Sequence, residues 1–355
     1  MVDTTDVILT ADRIVKHFPV RTGFLGALRG TKSRVVHAVD DVSFVVRRGE
    51  IFGLAGESGC GKTTVAKCVL MLVEPTSGSV VFDGVDLRKL SHKELKKYRT
   101  KMQVIFQDPY ESVNPRFTVF DIVAEGLFVN DVVGSRSEAE EKVKKALEDV
   151  QLVPPEEFLY RYPHELSGGQ RQRVAVARAL VLNPEFIVAD EPVSMLDVSI
   201  RAEVLNVLLS IREERGISLL FITHDLALAK DIVDRLAIMY LGKIVEFATA
   251  VELVHTPYHP YSQALVAAVP VPDPAAEKVR VLAAGEIPNA VEPPPACRYH
   301  TRCPLAQEVC KRDEPPLNEV KPGHYVACHF WKEAYEAYAG GRMQEATQAL
   351  EITRD

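Results

Sequence analysis

The stretch that decides the fold is Gly56-Glu57-Ser58-Gly59-Cys60-Gly61-Lys62-Thr63-Thr64. It matches the pattern G-x-x-x-x-G-K-[ST], in which glycines let backbone N–H groups close around phosphate oxygens. The helix that follows such a loop presents the positive end of its dipole to the same phosphates. Lys62 is then placed to reach β- and γ-phosphates, and the Thr63 hydroxyl is placed to ligate Mg²⁺. We therefore expect the whole stretch, from Gly56 to Thr64, to line a nucleotide site.

The residues around this loop have the pattern of an α/β protein. Residues 50–55 predict a buried strand before the loop, and residues 64–72 predict an apolar helix after it. Further buried strands are predicted from short apolar runs at residues 102–106, 185–189 and 218–222. Strand patterns at residues 7–15, 35–46 and 79–82 predict a separate antiparallel β subdomain. Two helical patterns between residues 118 and 150 predict a helical subdomain inserted at about residues 108–180.

Composition and charge set limits on the class of protein. The chain has 355 residues, of which 47% are hydrophobic and 26% charged, as in ordinary globular proteins. A formal net charge of -7 argues against nucleic-acid binding through bulk electrostatics. The N-terminus has neither a basic region nor an apolar segment typical of a signal peptide, and no stretch approaches about 18 consecutive apolar residues. We expect a cytosolic protein with reduced thiols.

Polar residues directly follow three of the predicted strands. They are Gln107, the pair Asp190-Glu191, and His224. In an open α/β sheet, the carboxyl ends of the strands face the ligand crevice. Asp190 suits coordination of Mg²⁺ through water, and Glu191 suits a general base that activates an attacking water. Gln107 is placed to meet Mg²⁺ or a γ-phosphate. Polar residues at strand ends more often have no catalytic role. We assign one to these residues because the same chain contains the phosphate-binding loop.

Two further segments offer groups to a nucleotide. Ser167-Gly168-Gly169-Gln170 lies at the start of a predicted helix, where Ser167 is the expected N-cap and free N–H groups form an anion site. Phe18, or His17 beside it, stands at the end of the first predicted strand. An aromatic side chain there either stacks on an adenine or covers the edge of the core, and position alone does not decide between these.

These motifs together resemble those of ABC-transporter ATPase subunits. The resemblance covers residues 6–250. Its elements occur in family order: Walker A at Gly56–Thr63, the Q-loop Gln107, the signature Leu166–Gln170, Walker B with Asp190 and Glu191, the D-loop Asp197 and the H-loop His224. It implies ATP and Mg²⁺ as ligands, with Thr63, Gln107 and Asp190 at the metal.

The resemblance also implies a mechanism. Two subunits close head to tail, so that Lys62 of one and Ser167 and Gly169 of the other bind one ATP. Glu191 then activates water, His224 contacts the γ-phosphate, and Gln107 reports the nucleotide state to the permease. A non-transport ABC ATPase of DNA repair or translation is disfavoured, because the chain has neither long coiled-coil insertions nor a second cassette.

Two stretches narrow the type of transporter. Residues 106–116 and 255–265 resemble the oligopeptide/dipeptide importer ATPases, and Lys16–Val20 resembles the second, F-type ATPase subunit of such systems. The implied partners are a paralogous second ATPase subunit, two transmembrane permease subunits and an extracytoplasmic solute-binding protein, with no nucleic acid. The implied location is the cytoplasmic face of the membrane, as a peripheral subunit. Because the ATPase does not touch the solute, oligosaccharide or nickel stays open as the cargo.

The end of the chain predicts a separate extension. We expect an ATPase domain at residues 1–254 and an extension at residues 255–355. Four of the six cysteines lie in it, at Cys297, Cys303, Cys310 and Cys328. Disulfides are disfavoured in a reduced cytosol, and zinc sites usually have more closely spaced cysteine pairs. Four cysteines suit an iron–sulfur cluster, and the tail is similar to that of peptide-importer ATPases with such a cluster. A [4Fe–4S] cluster is therefore expected, with zinc and free thiols as open alternatives.

Overall fold

A computed structural model describes residues 6–20, 34–108, 113–269 and 288–340. Pro109 and Tyr110 of the importer-like stretch lie outside these ranges. Within the described residues the strands are β1 (Val7–Pro19), β2 (Val35–Arg47), β3 (Ile51–Ala55), β4 (Ser77–Phe82), β5 (Val85–Asp86), β6 (Met102–Ile105), β7 (Phe186–Asp190), β8 (Ser218–Thr223), β9 (Arg235–Tyr240), β10 (Lys243–Thr249), β11 (Asn318–Lys321) and β12 (His324–Val326).

The helices of the same residues alternate with these strands. They are α1 (Lys62–Val69), α2 (His92–Lys101), α3 (Val119–Val129), α4 (Arg136–Asp149), α5 (Gly168–Leu180), α6 (Val198–Arg215), α7 (Leu226–Ile232), α8 (Ala250–His255), α9 (Pro260–Ala267), α10 (Glu308–Arg312) and α11 (Trp331–Ala339). Short 3₁₀ turns lie at Leu87–Lys89, Pro155–Glu157 and Pro163–Glu165. None of these helices has the length and apolar character that crossing a bilayer requires.

The chain divides into two compact units that alternate along the sequence. Unit 1 comprises residues 1–10, 45–51 and 80–222. Unit 2 comprises residues 11–44, 52–79 and 223–355. The domain boundary that the sequence places after residue 254 stays a prediction.

Unit 1 is built around three parallel strands with helices beside them. The strands are neighbours in the order β8-β7-β6, with Phe186 opposite Ser218 on one side and Met102 on the other. Every residue of β7 and β8 is buried, as expected of parallel strands covered on both faces. Helices α3, α4 and α5 pack against one another and form the predicted helical insertion.

Unit 2 combines the phosphate-binding loop with the C-terminal extension. Its strands run in the order β11-β12-β10-β9-β3, in which β3 is parallel to β9 and the others are antiparallel. Strands β9 and β10 form a hairpin, with Lys243 opposite Tyr240. The extension therefore continues the sheet of unit 2 through β12, because Glu246 of β10 pairs with Val326.

A buried carboxylate joins the extension to β10. Glu246 is completely buried and accepts hydrogen bonds from the backbone N–H groups of Tyr258 and His259, at 2.7 and 3.0 Å. Its third partner is Nε2 of His324 in β12, at 2.8 Å. Three partners satisfy the carboxylate, which removes most of the cost of burying it.

Some element boundaries differ from those that the sequence predicts. Strand β1 contains the alternating residues 7–15 and continues through Phe18 to Pro19. Its end falls at a proline, which has no N–H to donate to a strand ladder. Helix α1 begins at Lys62 rather than Thr64, because the left-handed Gly61 directly before it serves as the N-cap.

Candidate nucleotide site

The phosphate-binding loop has a backbone conformation that requires glycine at two positions, Gly56 and Gly61. Gly56 has φ 152° and Gly61 has φ 109°, conformations that residues with a β-carbon rarely adopt. A Cβ at Gly56 would lie 2.2 Å from the carbonyl oxygen of Met239. A Cβ at Gly61 would lie 2.1 Å from the carbonyl oxygen of Ala38. The glycines of the motif are therefore required by the close passage of the loop over neighbouring backbone.

Lys62 is curled into the loop that precedes it. Its side chain is buried, and Nζ donates to the carbonyl oxygens of Gly56 and Glu57, at 2.8 and 3.0 Å. Gly61 caps α1 without a side-chain hydrogen bond, so the first turn presents its N–H groups toward the loop. A cation and a helix N-terminus at one loop suit the binding of a polyphosphate.

Glu57 of the loop is held by two residues from the C-terminal part of the chain. Its carboxylate accepts two hydrogen bonds from the guanidinium of Arg302, at 2.7 and 3.0 Å. Its backbone N–H donates to the hydroxyl of Tyr261, at 2.8 Å. Sequence reasoning missed both residues, because they lie 245 and 204 positions away and belong to no nucleotide-binding motif.

The end of β1 offers the aromatic side chain expected for an adenine. Phe18 is 37% exposed, and Nζ of Lys16 lies 5.0 Å from the centre of its ring. His17 is instead engaged with Asp40, which also accepts from His37 and Arg298. Of the two residues considered for stacking, Phe18 is therefore the one whose ring is not tied into a polar cluster.

Asp40 is the centre of that polar cluster. Burial on its own would raise the pKa of the Asp40 carboxyl. Hydrogen bonds from His17 and Arg298, with the positive charge of Arg298, outweigh burial and lower the pKa to about 2. The three ligand atoms of His17, His37 and Asp40 lie within 4.8 Å of one another, the spacing of a metal site. The guanidinium on the same carboxylate disfavours a second cation there.

In unit 1 the structure brings Gln107 and Glu191 together. Nε2 of Gln107 donates to the Glu191 carboxylate, at 3.1 Å. Asp190 is the buried last residue of β7, and Glu191 follows with φ 48°, an uncommon backbone conformation for a side-chain-bearing residue. Its N–H donates to the carbonyl oxygen of Ile222 at the end of β8, at 3.0 Å. Neighbouring strand ends thus fix the turn that presents both carboxylates.

The signature segment begins helix α5 as predicted. Ser167 accepts from the N–H of Gln170 at 3.2 Å, and the Gln170 side chain accepts from the N–H of Ser167 at 2.9 Å. This reciprocal capping box leaves Gly168 and Gly169 in the first turn. A Cβ at Gly169 would lie 2.4 Å from Cγ2 of Ile200, so the Ile200 side chain of helix α6 would have to shift to admit any side chain there.

Two predicted site residues stand at exposed turns. Asp197 is the N-cap of α6 and makes no side-chain capping hydrogen bond. His224 is exposed directly after β8, and Asp225 beside it caps α7 by accepting from the N–H of Leu228 at 3.1 Å. His224 belongs to unit 2 with the phosphate-binding loop, whereas Asp197 belongs to unit 1 with the signature and Glu191.

The four cysteines of the extension converge on one enclosed pocket. Cys297, Cys303, Cys310 and Cys328 all line it, and none forms a disulfide. No three of their sulfurs lie within 4.8 Å of one another, as ligands of a single ion would. Burial raises the pKa of Cys297 to about 11 and that of Cys328 to about 12. Four thiols on one pocket are the kind of donor set that either a zinc ion or an iron–sulfur cluster takes.

Two family models match this chain. Residues 39–194 match the ABC transporter model, and residues 245–310 match the C-terminal region of oligopeptide/dipeptide transporters. A Brucella ovis protein named for peptide import and ATP binding is 49% identical over 298 residues, 84% of this chain and 93% of the relative. The chain belongs to the ABC transporter ATPases. The oligopeptide transport ATP-binding protein AppF of Bacillus subtilis is 45% identical to this ABC ATPase over 329 residues, 92% of this chain and 98% of AppF.

Solved structures agree with this assignment of the ABC ATPase. The ATP-binding cassette MJ0796, in a post-hydrolysis dimer with ADP and Pi, has a TM-score of 0.59 at 27% identity, covering 68% of this chain and 99% of that one. The protein cbiO1 of Clostridium perfringens has a TM-score of 0.58 at 26% identity, covering 70% of this chain and 91% of that one. The predicted fold class, an α/β ATPase cassette with an added C-terminal region, is confirmed.

Proposed function

We propose that this ABC ATPase hydrolyses ATP to drive the import of peptides through a membrane transporter. One observation carries the proposal: a P-loop ATPase cassette and an oligopeptide/dipeptide transporter C-terminal region occur in one chain. The relatives named above support it, since their names refer to peptide import and oligopeptide transport. The chain supplies the ATPase activity, and the cargo is selected elsewhere in the transporter.

We assign the ATP-binding roles as follows. The backbone of Gly56–Thr64 and the ammonium of Lys62 hold the phosphates, and Phe18 stacks on the adenine. Thr63, Gln107 and Asp190 would hold Mg²⁺, which would neutralise charge on the phosphates of bound ATP. Glu191 accepts a proton from the attacking water, and His224 donates a hydrogen bond to the γ-phosphate.

The second half of each ATP site comes from another subunit. In this proposal, Ser167–Gln170 and Asp197 of one chain face the phosphate-binding loop of its neighbour. The capping box of Ser167 and Gln170 supports this, because it orients the first turn of α5 as an anion site. Splitting the phosphate contacts between two chains makes their closure depend on ATP, which couples nucleotide binding to movement of a permease.

The proposed assembly contains four further protein subunits. A paralogous ATPase subunit completes the pair, two permease subunits cross the membrane, and a solute-binding protein delivers the peptide. The ATPase sits as a peripheral subunit on the cytoplasmic face. Residues 1–254 form its ATPase domain, and residues 255–355 form the extension characteristic of this transporter group.

The extension is proposed to hold a [4Fe–4S] cluster on Cys297, Cys303, Cys310 and Cys328. Their convergence on one pocket supports this. The test is an anaerobic preparation analysed for iron, sulfide, zinc and absorbance near ~400 nm. Loss of iron in Cys303→Ser, with retention in Cys68→Ser, would support the cluster. Stoichiometric zinc, or no metal in the wild type, would refute it.

The function itself is tested in the assembled transporter. The chain is co-expressed with its permease subunits and partner ATPase, reconstituted in lipid, and supplied with the solute-binding protein. Peptides, oligosaccharides and nickel are compared as stimulants of ATP hydrolysis, with Glu191→Gln as the inactive control. Stimulation by peptides supports the proposal. Stimulation only by sugar or nickel keeps the ATP-driven mechanism and refutes the peptide cargo.

A further inference from the structure

Every polar group of Glu57 is used inside unit 2. The backbone N–H donates to the Tyr261 hydroxyl at 2.8 Å, and the carbonyl oxygen accepts from Nζ of Lys62 at 3.0 Å. The carboxylate accepts two bonds from Arg302, at 2.7 and 3.0 Å. A residue fixed at its N–H, carbonyl and side chain has little freedom left, so the entry to the phosphate-binding loop is held in one conformation.

Arg302 is buried and packs between two aromatic rings. It is 6% exposed, and its guanidinium lies 5.8 Å from the ring centres of Tyr240 and of Tyr299. Two hydrogen bonds to the Glu57 carboxylate pair the charged guanidinium in this buried position. A two-pronged pair between an arginine and a carboxylate is strong and geometrically specific, and here the arginine is the buried partner.

The segment that carries Arg302 is also the segment that carries the thiols. The N–H of Arg302 donates to the carbonyl oxygen of Tyr299, at 2.9 Å, and Cys303 follows directly. Tyr299 and Cys303 both line the four-cysteine pocket. The shape of this segment therefore determines where the guanidinium meets the phosphate-binding loop.

We infer that Arg302 is a positioning residue for ATP binding, through which the C-terminal extension holds the phosphate-binding loop in its binding conformation. The inference rests on the proposed ATPase function and adds a residue that lies outside every motif of the cassette. Arg302 acts through Glu57 and does not touch the nucleotide. Because preorganisation lowers the cost of binding, its loss weakens ATP affinity and leaves the chemical step nearly unchanged.

The test compares Arg302→Lys, Glu57→Gln and the double variant in the reconstituted transporter. Lysine keeps the charge but loses the two-pronged geometry, and glutamine keeps the shape but loses the charge. Each single variant is expected to raise the KM for ATP about tenfold, equal to roughly 1.4 kcal/mol, with kcat within about twofold of wild type. The double variant is expected to match the single variants, because both remove one interaction.

A matched control separates positioning from general support of the fold. Arg298→Lys alters a partly buried arginine of the same segment, whose partners are Asp40 and the carbonyl oxygen of Leu241. It is expected to lower the melting temperature without changing the KM for ATP. Tyr261→Phe removes one hydrogen bond to Glu57 and provides a milder variant should Arg302→Lys fold poorly; a raised KM is expected there too.

Two results decide against the inference in different ways. In the first, Arg302→Lys, Glu57→Gln and Tyr261→Phe lower the melting temperature but leave the KM and the dissociation constant for ATP unchanged. The contacts of Glu57 would then stabilise the fold without positioning the loop for ATP. The dissociation constant of wild type for a fluorescent ATP analogue is measured first. If wild type binds no nucleotide, the proposed function fails, and the positioning role fails with it.

Discussion

Gln107 and Glu191 touch each other at the ends of two neighbouring parallel strands. Nε2 of Gln107 donates to the Glu191 carboxylate at 3.1 Å, two residues beyond the pairing of Ile105 with Ala189. The residue proposed to report nucleotide state thus contacts the residue proposed to activate water. A shift of Gln107 toward a metal or phosphate would necessarily release a hydrogen bond from Glu191.

Glu191→Gln is expected to keep ATP binding and lose turnover. The amide keeps the size of the side chain but does not accept a proton, so kcat should fall by about 10²–10⁴-fold. Steady-state hydrolysis and binding of a fluorescent ATP analogue measure the two effects. Glu185→Gln is the control, since Glu185 lies just before the other end of β7 and pairs with Lys101. Turnover close to wild type in Glu191→Gln would exclude the residue as the base.

Ser167→Ala is expected to affect both helix stability and catalysis. Loss of the cap of α5 costs about 1 kcal/mol of stability. Loss of a donor to the phosphates of the neighbouring subunit should lower ATP hydrolysis of the complex at least about tenfold. Ser135→Ala removes the equivalent cap of α4, where Ser135 accepts from the N–H of Glu138 at 3.2 Å.

The two serine variants should lose similar stability in urea unfolding. Only Ser167→Ala should lose hydrolysis. Equal hydrolysis in both variants would mean that the signature serine serves the helix alone.

Gly61→Ala is expected to abolish tight ATP binding. Its φ of 109° and the predicted Cβ distance of 2.1 Å to the Ala38 carbonyl force the backbone of the loop to shift. Gly84→Ala is the control, because Gly84 has φ 77° but nothing within 4 Å of an added Cβ.

Backbone strain in Gly84→Ala should lower the free energy of unfolding by about 1 kcal/mol. The affinity for ATP should stay unchanged. Titration with the fluorescent analogue and thermal melting distinguish the two variants. Wild-type affinity in Gly61→Ala would contradict the requirement for glycine.

Asp40→Asn is expected to lower stability in a pH-dependent way. A carboxyl with a folded pKa lowered to about 2 stabilises the fold above the unfolded pKa of 3.8 and loses this as pH falls toward 2. At pH 7 the variant should lose roughly 1–2 kcal/mol, after allowance for solvent screening. Urea unfolding should show a smaller difference at pH 3 than at pH 7.

Asp41→Asn is the control for this effect. Asp41 is exposed with φ 56°, a conformation that asparagine also adopts readily. The free energy of unfolding should stay within about 0.5 kcal/mol of wild type at either pH. A constant difference for Asp40→Asn between pH 7 and pH 3 would contradict the lowered pKa.

Much of the candidate site could be predicted because its motifs are local. The loop from Gly56 to Thr64 and the capping box of Ser167 each lie within one short run of chain, where backbone geometry dictates residue type. The carboxylates at Asp190 and Glu191 follow from a buried strand whose end must face the crevice. Strand length does not follow from the local pattern alone: β1 extends to Pro19, beyond the alternating residues 7–15.

By itself, the sequence determined the cassette, its nucleotide and the order of its motifs, because those features depend on backbone conformations a few residues long. Only the tertiary structure decided that β12 extends the sheet of β10, that four cysteines share one pocket, and that Arg302 meets Glu57. The last pair is separated by 245 positions. Contacts of that kind arise from packing among whole elements, and no local pattern of residues encodes them.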